Sequence, residues 1–168
     1  MTALTRRSFV LVGAAALLAG CAATVPVLPK TASTPETLTD AEIITAINAV
    51  RQANGAGPWS YSQQLENAAR SQARLMAQKD TLSHNLGVTL RERVREAGYV
   101  GAVGENVAKG YTSLPGAIEG WLNSAGHRST LLNAKFTEFG LAAARSNGGK
   151  VYWAMIAGGS FEPWLRPA

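Results

Sequence analysis

The chain has 168 residues, of which 46% are hydrophobic and 16% charged, so it is long enough for one globular domain and too apolar for a disordered one. Its net charge is +5 and its isoelectric point is about 9.7. This excess does not indicate a nucleic-acid partner. Arg6 and Arg7 fall in a segment that we expect to be removed, which leaves 14 of the 16 basic residues against 11 acidic ones. The rest mix with acids, as from Arg91 to Glu96, a pattern typical of a solvated helix face.

The amino-terminal 20 residues have the features of an export signal. Arg6 and Arg7 precede an apolar run at 9–20, which is too short to span a bilayer. The paired arginines are similar to those of twin-arginine (Tat) signals, although lipoproteins exported by the Sec route also begin with two basic residues. Residues 1–20 are therefore predicted to be a signal peptide that is not part of the domain.

The end of this segment predicts a lipid anchor. Leu18-Ala19-Gly20-Cys21 resembles a bacterial lipobox, in which cleavage precedes a cysteine that is then acylated. Cys21 is the one cysteine of the chain, which excludes an intrachain disulfide framework and a cysteine-ligated metal site. Several acyl chains would anchor the protein stably, since each buried CH₂ contributes about 0.8 kcal/mol. Ala22, rather than an aspartate, follows the cysteine, which favours the outer membrane and periplasm in a Gram-negative cell.

The remaining chain is predicted to contain a tether at 21–38 and a domain at 39–168. The tether is rich in Pro, Thr, Ala and Ser, which favour extended conformations. Apolar residues then recur at helical spacing, and strands appear late. The predicted helices cover about 41–53, 62–79, 89–97, 115–122 and 125–133, and the predicted strands 105–111, 138–145 and 151–156. Asn147-Gly148 supplies the positive φ for a hairpin turn between the last two strands. The fold class is therefore α+β, with helices packed on a small antiparallel sheet.

Three side chains are candidates for chemistry. His84, Glu105 and His127 offer two imidazoles and a carboxylate, which are usual ligands of Zn²⁺, and three such ligands with an open position activate a bound water. Without metal, Glu105 would orient one histidine as an acid–base pair. A Ser-His hydrolase using Ser124 or Ser129 is less attractive, because the chain has no Gly-x-Ser-x-Gly elbow.

Each candidate also has a structural interpretation. His84 would suit the carboxyl end of the second helix, where a cation complements the helix dipole. Glu105 and Asn106 would satisfy backbone donors at the start of a strand. Asn123, Ser124 and His127 would cap and hold the segment that follows them. Arg128 would form a surface ion pair of little consequence.

An ordered set of motifs resembles the bacterial branch of the CAP superfamily, also called SCP domains. The resemblance covers residues 38–161. It rests on Asn48-Ala49-Val50-Arg51 before Pro58-Trp59, then Ser83-His84, Gly104-Glu105-Asn106-Val107, the stretch Trp121-Leu122-Asn123-Ser124-Ala125-Gly126-His127-Arg128, Phe139-Gly140 and Tyr152-Trp153-Ala154-Met155. It implies an α-β-α sandwich with a groove along the sheet.

The same resemblance implies a partial metal site. In many eukaryotic members the groove holds two histidines and two glutamates that bind a divalent metal. His84 matches the first histidine and Glu105 the first glutamate, whereas Ser124 and Tyr152 stand where the second acid and second histidine would be. His127 belongs instead to the bacterial Gly-His-Arg motif.

Two functions remain open from the sequence. The preferred one is a membrane-tethered, monomeric binding module whose groove holds a lipid, a peptide or an envelope glycan such as peptidoglycan. The alternative is a metal-dependent hydrolase, with Zn²⁺ or another divalent ion held by His84, Glu105 and His127.

Overall fold

The computed structural model describes residues 26–27 and 33–165, so the predicted signal peptide, Cys21 and most of the predicted tether lie outside the described residues. Within the described part, six helices and four strands follow one another. They are α1 (Asp40–Ala53), β1 (Ser60–Tyr61), α2 (Gln63–Gln78), α3 (Leu90–Glu96), β2 (Ala102–Lys109), α4 (Leu114–Leu122), α5 (Ala125–Leu131), β3 (Glu138–Arg145), β4 (Val151–Gly159) and α6 (Glu162–Leu165). This mixture of helices and strands confirms the α+β class.

The strands form one sheet in the order β1-β3-β4-β2. β4 runs antiparallel to both β2 and β3, as predicted. The two-residue strand β1 adds a parallel pairing to β3, which makes the sheet mixed. β1 was not predicted, because two residues are too few to show the alternation that identifies a strand. β2 lies at one edge of the sheet, and this position matters for the site described below.

Helices cover both faces of the sheet. All residues of β4 are buried, and they alternate between two cores because successive strand side chains point to opposite faces. Trp153 and Met155 pack in a core with α1 and α4. Tyr152 and Ile156 pack in a second core with α2 and α3. This arrangement is the α-β-α sandwich that the resemblance implied.

Helix α2 lies very close to β3. A Cβ atom added at Gly140 would overlap the backbone of Leu65 and Glu66. The start of α2 is fixed at the same level, because the Ser62 side chain caps its first turn and the Ser62 N–H donates to the carbonyl of Phe139 at 2.8 Å. Gly140 therefore sets how deeply α2 sits on the sheet.

The predicted hairpin between β3 and β4 is present, but its turn differs from the expectation. The Gly149 N–H donates to the carbonyl of Ser146 at 2.9 Å, and Gly149 has a φ of +81°. The positive φ thus falls on Gly149 and not on the Asn147-Gly148 pair. A turn of type I followed by one left-handed residue accounts for this geometry.

The segment before α1 contacts the domain. The Ser33 hydroxyl donates to Glu42 at 2.9 Å, and Glu36 pairs with Arg145 at 2.7 Å. Leu38 packs against the core beside α1. Ser33 and Glu36, which lie in the stretch that was predicted to be tether, thus contact the domain.

Two residues of the first family motif fasten α1 to the rest of the domain. The Asn48 side chain donates to the carbonyl of Trp59 at 2.9 Å and accepts from its N–H at 2.8 Å. The buried Arg51 guanidinium lies 3.7 Å from the centre of the Trp59 ring and donates to the carbonyl of Leu131 at 2.6 Å. These contacts explain a motif that sequence alone could only match.

Candidate functional site

The candidate site lies over the exposed edge of the sheet, at β2. Glu105 and Asn106 are consecutive in β2, opposite Ile156 and Met155 of β4, so their side chains point to opposite faces. Glu105 reaches the layer of α2 and α3, and Asn106 reaches the layer of α4 and α5. Strand β2 therefore contacts both helical layers through these two neighbouring side chains.

Glu105 bridges an arginine and a histidine. Its Oε1 lies 2.6 Å from Nη2 of Arg93, and its Oε2 lies 2.8 Å from Nδ1 of His84. The side chains of Arg93 and Glu105 are 0% and 2% exposed, whereas that of His84 is 58% exposed. Because a carboxylate only accepts hydrogen bonds, Nδ1 of His84 carries the proton in this contact. Glu105 thus fixes the ring of an exposed histidine from below.

Arg93 also holds the chain that carries His84. Its Nη1 donates to the carbonyl of Val88 at 2.6 Å, and its Nη2 lies 3.4 Å from the carbonyl of His84. The Gln72 side chain donates to the carbonyl of the neighbouring Ser83 at 2.5 Å. The loop between α2 and α3 is therefore fixed by side chains from both helices.

Sequence reasoning missed Arg93. The charge pattern from Arg91 to Glu96 predicted a solvated helix face, and this was wrong for Arg93, which is 1% exposed. A signal was present, because Arg93 follows Leu90 by three residues and precedes Ala97 by four, on the apolar stripe of α3. What the sequence did not reveal was its partner Glu105, which lies on a different element.

His127 approaches the same place from the other layer. The Nδ2 of Asn106 donates to the backbone carbonyl of His127 at 2.9 Å. The rings of His84 and His127 have their centres 6.2 Å apart, with an angle of 40° between their planes. The pKa of His127 is lowered below its usual value, mainly because partial burial disfavours the charged ring and also because His84 repels a second charge. The ring of His84 thus lies beside both the Glu105 carboxylate and the ring of His127.

The other predicted residues have backbone roles near the site. Asn123 ends α4, where its N–H donates to the carbonyls of Glu119 and Trp121. Ser124 precedes α5 without capping it through its side chain, and its carbonyl accepts from the N–H of Arg128 at 2.8 Å. Among the described residues, neither hydroxyl of Ser124 and Ser129 bonds to His127. A serine nucleophile paired with His127 is therefore not assembled.

Three buried polar atoms in the described part of the chain lack a hydrogen-bond partner, and all three belong to side chains around the two histidines. They are Oε1 of Gln72, Nε of Arg93 and Oδ1 of Asn106. Each of these side chains also holds the backbone at or beside His84 or His127. Buried polar atoms normally find a protein or water partner. The packing behind the histidine pair is therefore polar, and these three atoms are buried within it.

The residues do not fit a three-ligand metal site. Both carboxylate oxygens of Glu105 are engaged, one by the Arg93 guanidinium and one by Nδ1 of His84. A cation 2.6 Å from a carboxylate oxygen opposes a metal ion at the same oxygen. Over the described residues, no group of three or more His, Cys, Asp or Glu side chains has an arrangement that could hold a metal ion. The predicted set of His84, Glu105 and His127 meets as neighbours but not as ligands of one ion.

The architecture and this edge site define a class of protein, the α-β-α sandwich with a pair of histidines beside an edge strand. The profile of the CAP family, described as the cysteine-rich secretory protein family, matches residues 44–156. The chain therefore belongs to the CAP family.

Two proteins of Bacillus subtilis are similar to the chain in sequence. The uncharacterized membrane protein YlbC is 33% identical over 115 residues, which make up 66% of this chain and 33% of that protein. The uncharacterized protein YkwD is 28% identical over 130 residues, or 70% of this chain and 51% of that protein. The chain thus spans about half or less of these relatives.

Solved structures share the fold. An outer surface protein from Borrelia burgdorferi superposes with a TM-score of 0.66 at 22% identity, over 76% of this chain and 98% of that one. An extracellular protein with an SCP domain from Bacillus anthracis superposes with a TM-score of 0.62 at 25% identity, over 73% of this chain and 44% of that one. Within the described residues of the present chain, every helix is too short or too polar to cross a bilayer.

Replacing Arg93 tests the buried charge pair. We expect Arg93→Gln to lower the free energy of unfolding by about 3–5 kcal/mol, because it leaves the Glu105 carboxylate buried without a cation. The matched control is Arg91→Gln in the same helix, where the side chain is exposed and the expected change is about 0.5 kcal/mol or less. Chemical denaturation of the full chain measures both. Similar losses for the two variants would contradict the assignment.

The titration of His127 tests the contact between the two imidazoles. NMR of the ring resonances should give His127 a pKa below the ordinary 6.5. His84→Gln should raise that pKa only part of the way, because burial is the larger cause. Because folding lowers the pKa of His127, protonation of this ring favours the unfolded chain. The contribution of His127 to the free energy of unfolding is therefore fully present above the pKa of the unfolded state and is lost as the pH falls through the pKa of the folded state. An unchanged pKa in His84→Gln would show that the rings do not interact.

Proposed function

We propose that the protein is an exported lipoprotein whose CAP domain is a binding module, with a lipid, a peptide or an envelope glycan held at the His84–His127 pair. This proposal rests on the positions of the two imidazole rings. His84 is exposed above a buried carboxylate, and His127 lies 6.2 Å away on the opposite helical layer. Ring faces and edges held in this way suit a ligand that stacks and accepts or donates hydrogen bonds.

The hydrogen-bond and ion-pair partners of Glu105 and His84 favour ligand binding over hydrolysis. The alternative, a metal-dependent hydrolase, needs His84, Glu105 and His127 as ligands, yet Glu105 is neutralised by Arg93. The metal-free acid–base version has His84 oriented by Glu105 but no positioned nucleophile among the described serines beside His127. An imidazole oriented by Glu105, with a second imidazole beside it, is sufficient for recognition.

The proposal of export and membrane anchoring rests on the amino-terminal sequence and on the descriptions of similar proteins. The paired arginines, the short apolar run and the lipobox-like Leu18-Ala19-Gly20-Cys21 occur in the order that export and acylation require. Similar proteins are described as a membrane protein, an outer surface protein and an extracellular protein. These features support a domain outside the cytoplasm that is tethered to a membrane through Cys21.

The anchor is tested by replacing its cysteine. In the bacterium of origin, Cys21→Ser should move the protein from the membrane pellet to the soluble fraction and abolish labelling by radioactive palmitate, because the acyl chains provide the attachment. Ala22→Ser, which keeps the cysteine, should remain labelled and membrane-bound. An unlabelled wild-type protein, or a Cys21→Ser variant that stays in the pellet, would contradict the proposal.

The binding site is tested on the full chain purified in detergent. Thermal-shift screens against phospholipids, extended peptides and peptidoglycan fragments should identify one class that binds saturably. We expect His84→Gln and His127→Gln to weaken that binding about tenfold each, the size of one well-formed contact. Glu96→Gln, an exposed change on α3, serves as the control and should leave affinity unchanged.

Two outcomes would overturn this proposal. The first is the absence of saturable binding across all three ligand classes. The second is equal affinity for the wild-type, His84→Gln and His127→Gln chains, which would place binding elsewhere. Mass spectrometry of the bound ligand separates the alternatives, because release of cleaved product that depends on His84 would indicate hydrolysis instead of simple binding.

A further inference from the structure

A second concave surface runs along the outer face of α2, away from the histidine pair. It consists of two adjoining cavities of about 470 and 300 Å³ that share Arg74 and Gln78. The larger cavity extends towards Arg70 and Val88, and the smaller one towards Arg145 and the hairpin turn. We call this continuous surface the α2 trough.

The lining of the α2 trough is cationic and polar. It carries three guanidinium groups, from Arg70, Arg74 and Arg145. Neutral hydrogen-bonding side chains lie between them, and no acidic side chain is among the described residues that line either cavity. The neutral polar lining residues are Asn67, Ser71, Gln78, Ser146 and Asn147. A ligand with negative charges and hydroxyl groups would be complementary to this surface.

The three arginines are held differently. Arg70 forms an ion pair with the largely buried Glu66, and Arg145 pairs with Glu36 at 2.7 Å. Arg74 is exposed and forms no ion pair with a described residue. Arg74 lines both cavities, whereas Arg70 lines only the larger one and Arg145 only the smaller one. An anion in either cavity of the α2 trough would therefore meet one unneutralised cation.

We propose that the α2 trough binds an acidic carbohydrate segment, whose carboxylate or phosphate groups pair with Arg74 and whose hydroxyl groups bond to the neighbouring amides. A guanidinium offers a planar fork that matches either anion, and two ends already occupied by ion pairs still leave further N–H donors. This site is separate from the one at His84 and His127 and does not depend on the function proposed for them.

The composition of the α2 trough favours a carbohydrate over a membrane surface. Its apolar lining consists of half-buried or small side chains such as Leu75 and Val88, so it offers no large exposed group to insert among acyl chains. Its lining contains no aromatic ring on which a nucleic-acid base would stack.

The proposal is tested with the full chain in detergent and a defined probe, tetragalacturonate. We expect saturable binding that weakens with salt and no binding of the neutral galactose tetramer of equal length. Arg74→Ala should weaken binding about tenfold, the effect of one charge-assisted contact. Arg91→Ala removes an equally exposed arginine of α3 that lies outside the trough, and it should weaken binding less than twofold. Arg74→Lys should fall between them, because it keeps the charge but not the fork.

Defined results would overturn the inference. Equal losses for Arg74→Ala and Arg91→Ala would show that net charge alone attracts the probe. Failure of tetragalacturonate to bind would also end the proposal. Binding to phosphatidylglycerol vesicles that requires Arg74, with none to the sugar, would identify a membrane surface instead. His84→Gln should leave probe affinity unchanged, so a failure here is distinguishable from a failure at the histidine pair.

Discussion

The Glu105 carboxylate is nearly excluded from water at the edge of a sheet, and the site can exist only if that charge is balanced. Arg93 balances it through a contact of 2.6 Å between two side chains that are 2% exposed or less. A buried carboxylate without such a partner would cost several kcal/mol or take up a proton. The same guanidinium donates to the carbonyl of Val88, so one charge pair fixes both the strand and the loop that carries His84. The placement of the exposed ring follows from this buried contact.

The second constraint is the alternation of side chains along β2. Glu105 points to one helical layer and Asn106 to the other, so two adjacent residues fasten histidines from two separate layers. Because β2 is the edge strand, both layers meet beside it without a further strand between them. A slip of one residue in the register with β4 would exchange the two faces and separate both contacts. The burial of every residue of β4 on both sides opposes such a slip.

These contacts also explain what the sequence could and could not predict. Helices α1 to α5 were predictable because apolar residues recur at helical spacing, whereas the four-residue α6 was not predicted. The family resemblance placed His84 and Glu105 in one groove, whereas the expectation that His127 lies beside them was a separate inference. The burial of Arg93 was not predictable. Most residues of the short helix α3 are charged, and the partner of Arg93, Glu105, lies on another element. β1 and the positive φ of Gly149 depend on pairing and turn geometry that no local pattern specifies.

The same charge pair occupies the carboxylate that a metal ion at this place would need. Tyr152, which the family resemblance aligns with a second histidine, donates its hydroxyl to Asp80 at 2.7 Å. The remaining carboxylate, Glu105, is committed to Arg93 and to His84. Charge beside the histidine pair is therefore balanced within the protein, and the groups left for a ligand there are imidazoles. Arg74 is an exposed cation on the outer face of α2, so the recognition of acidic groups proposed there uses a different surface from recognition at the histidine pair.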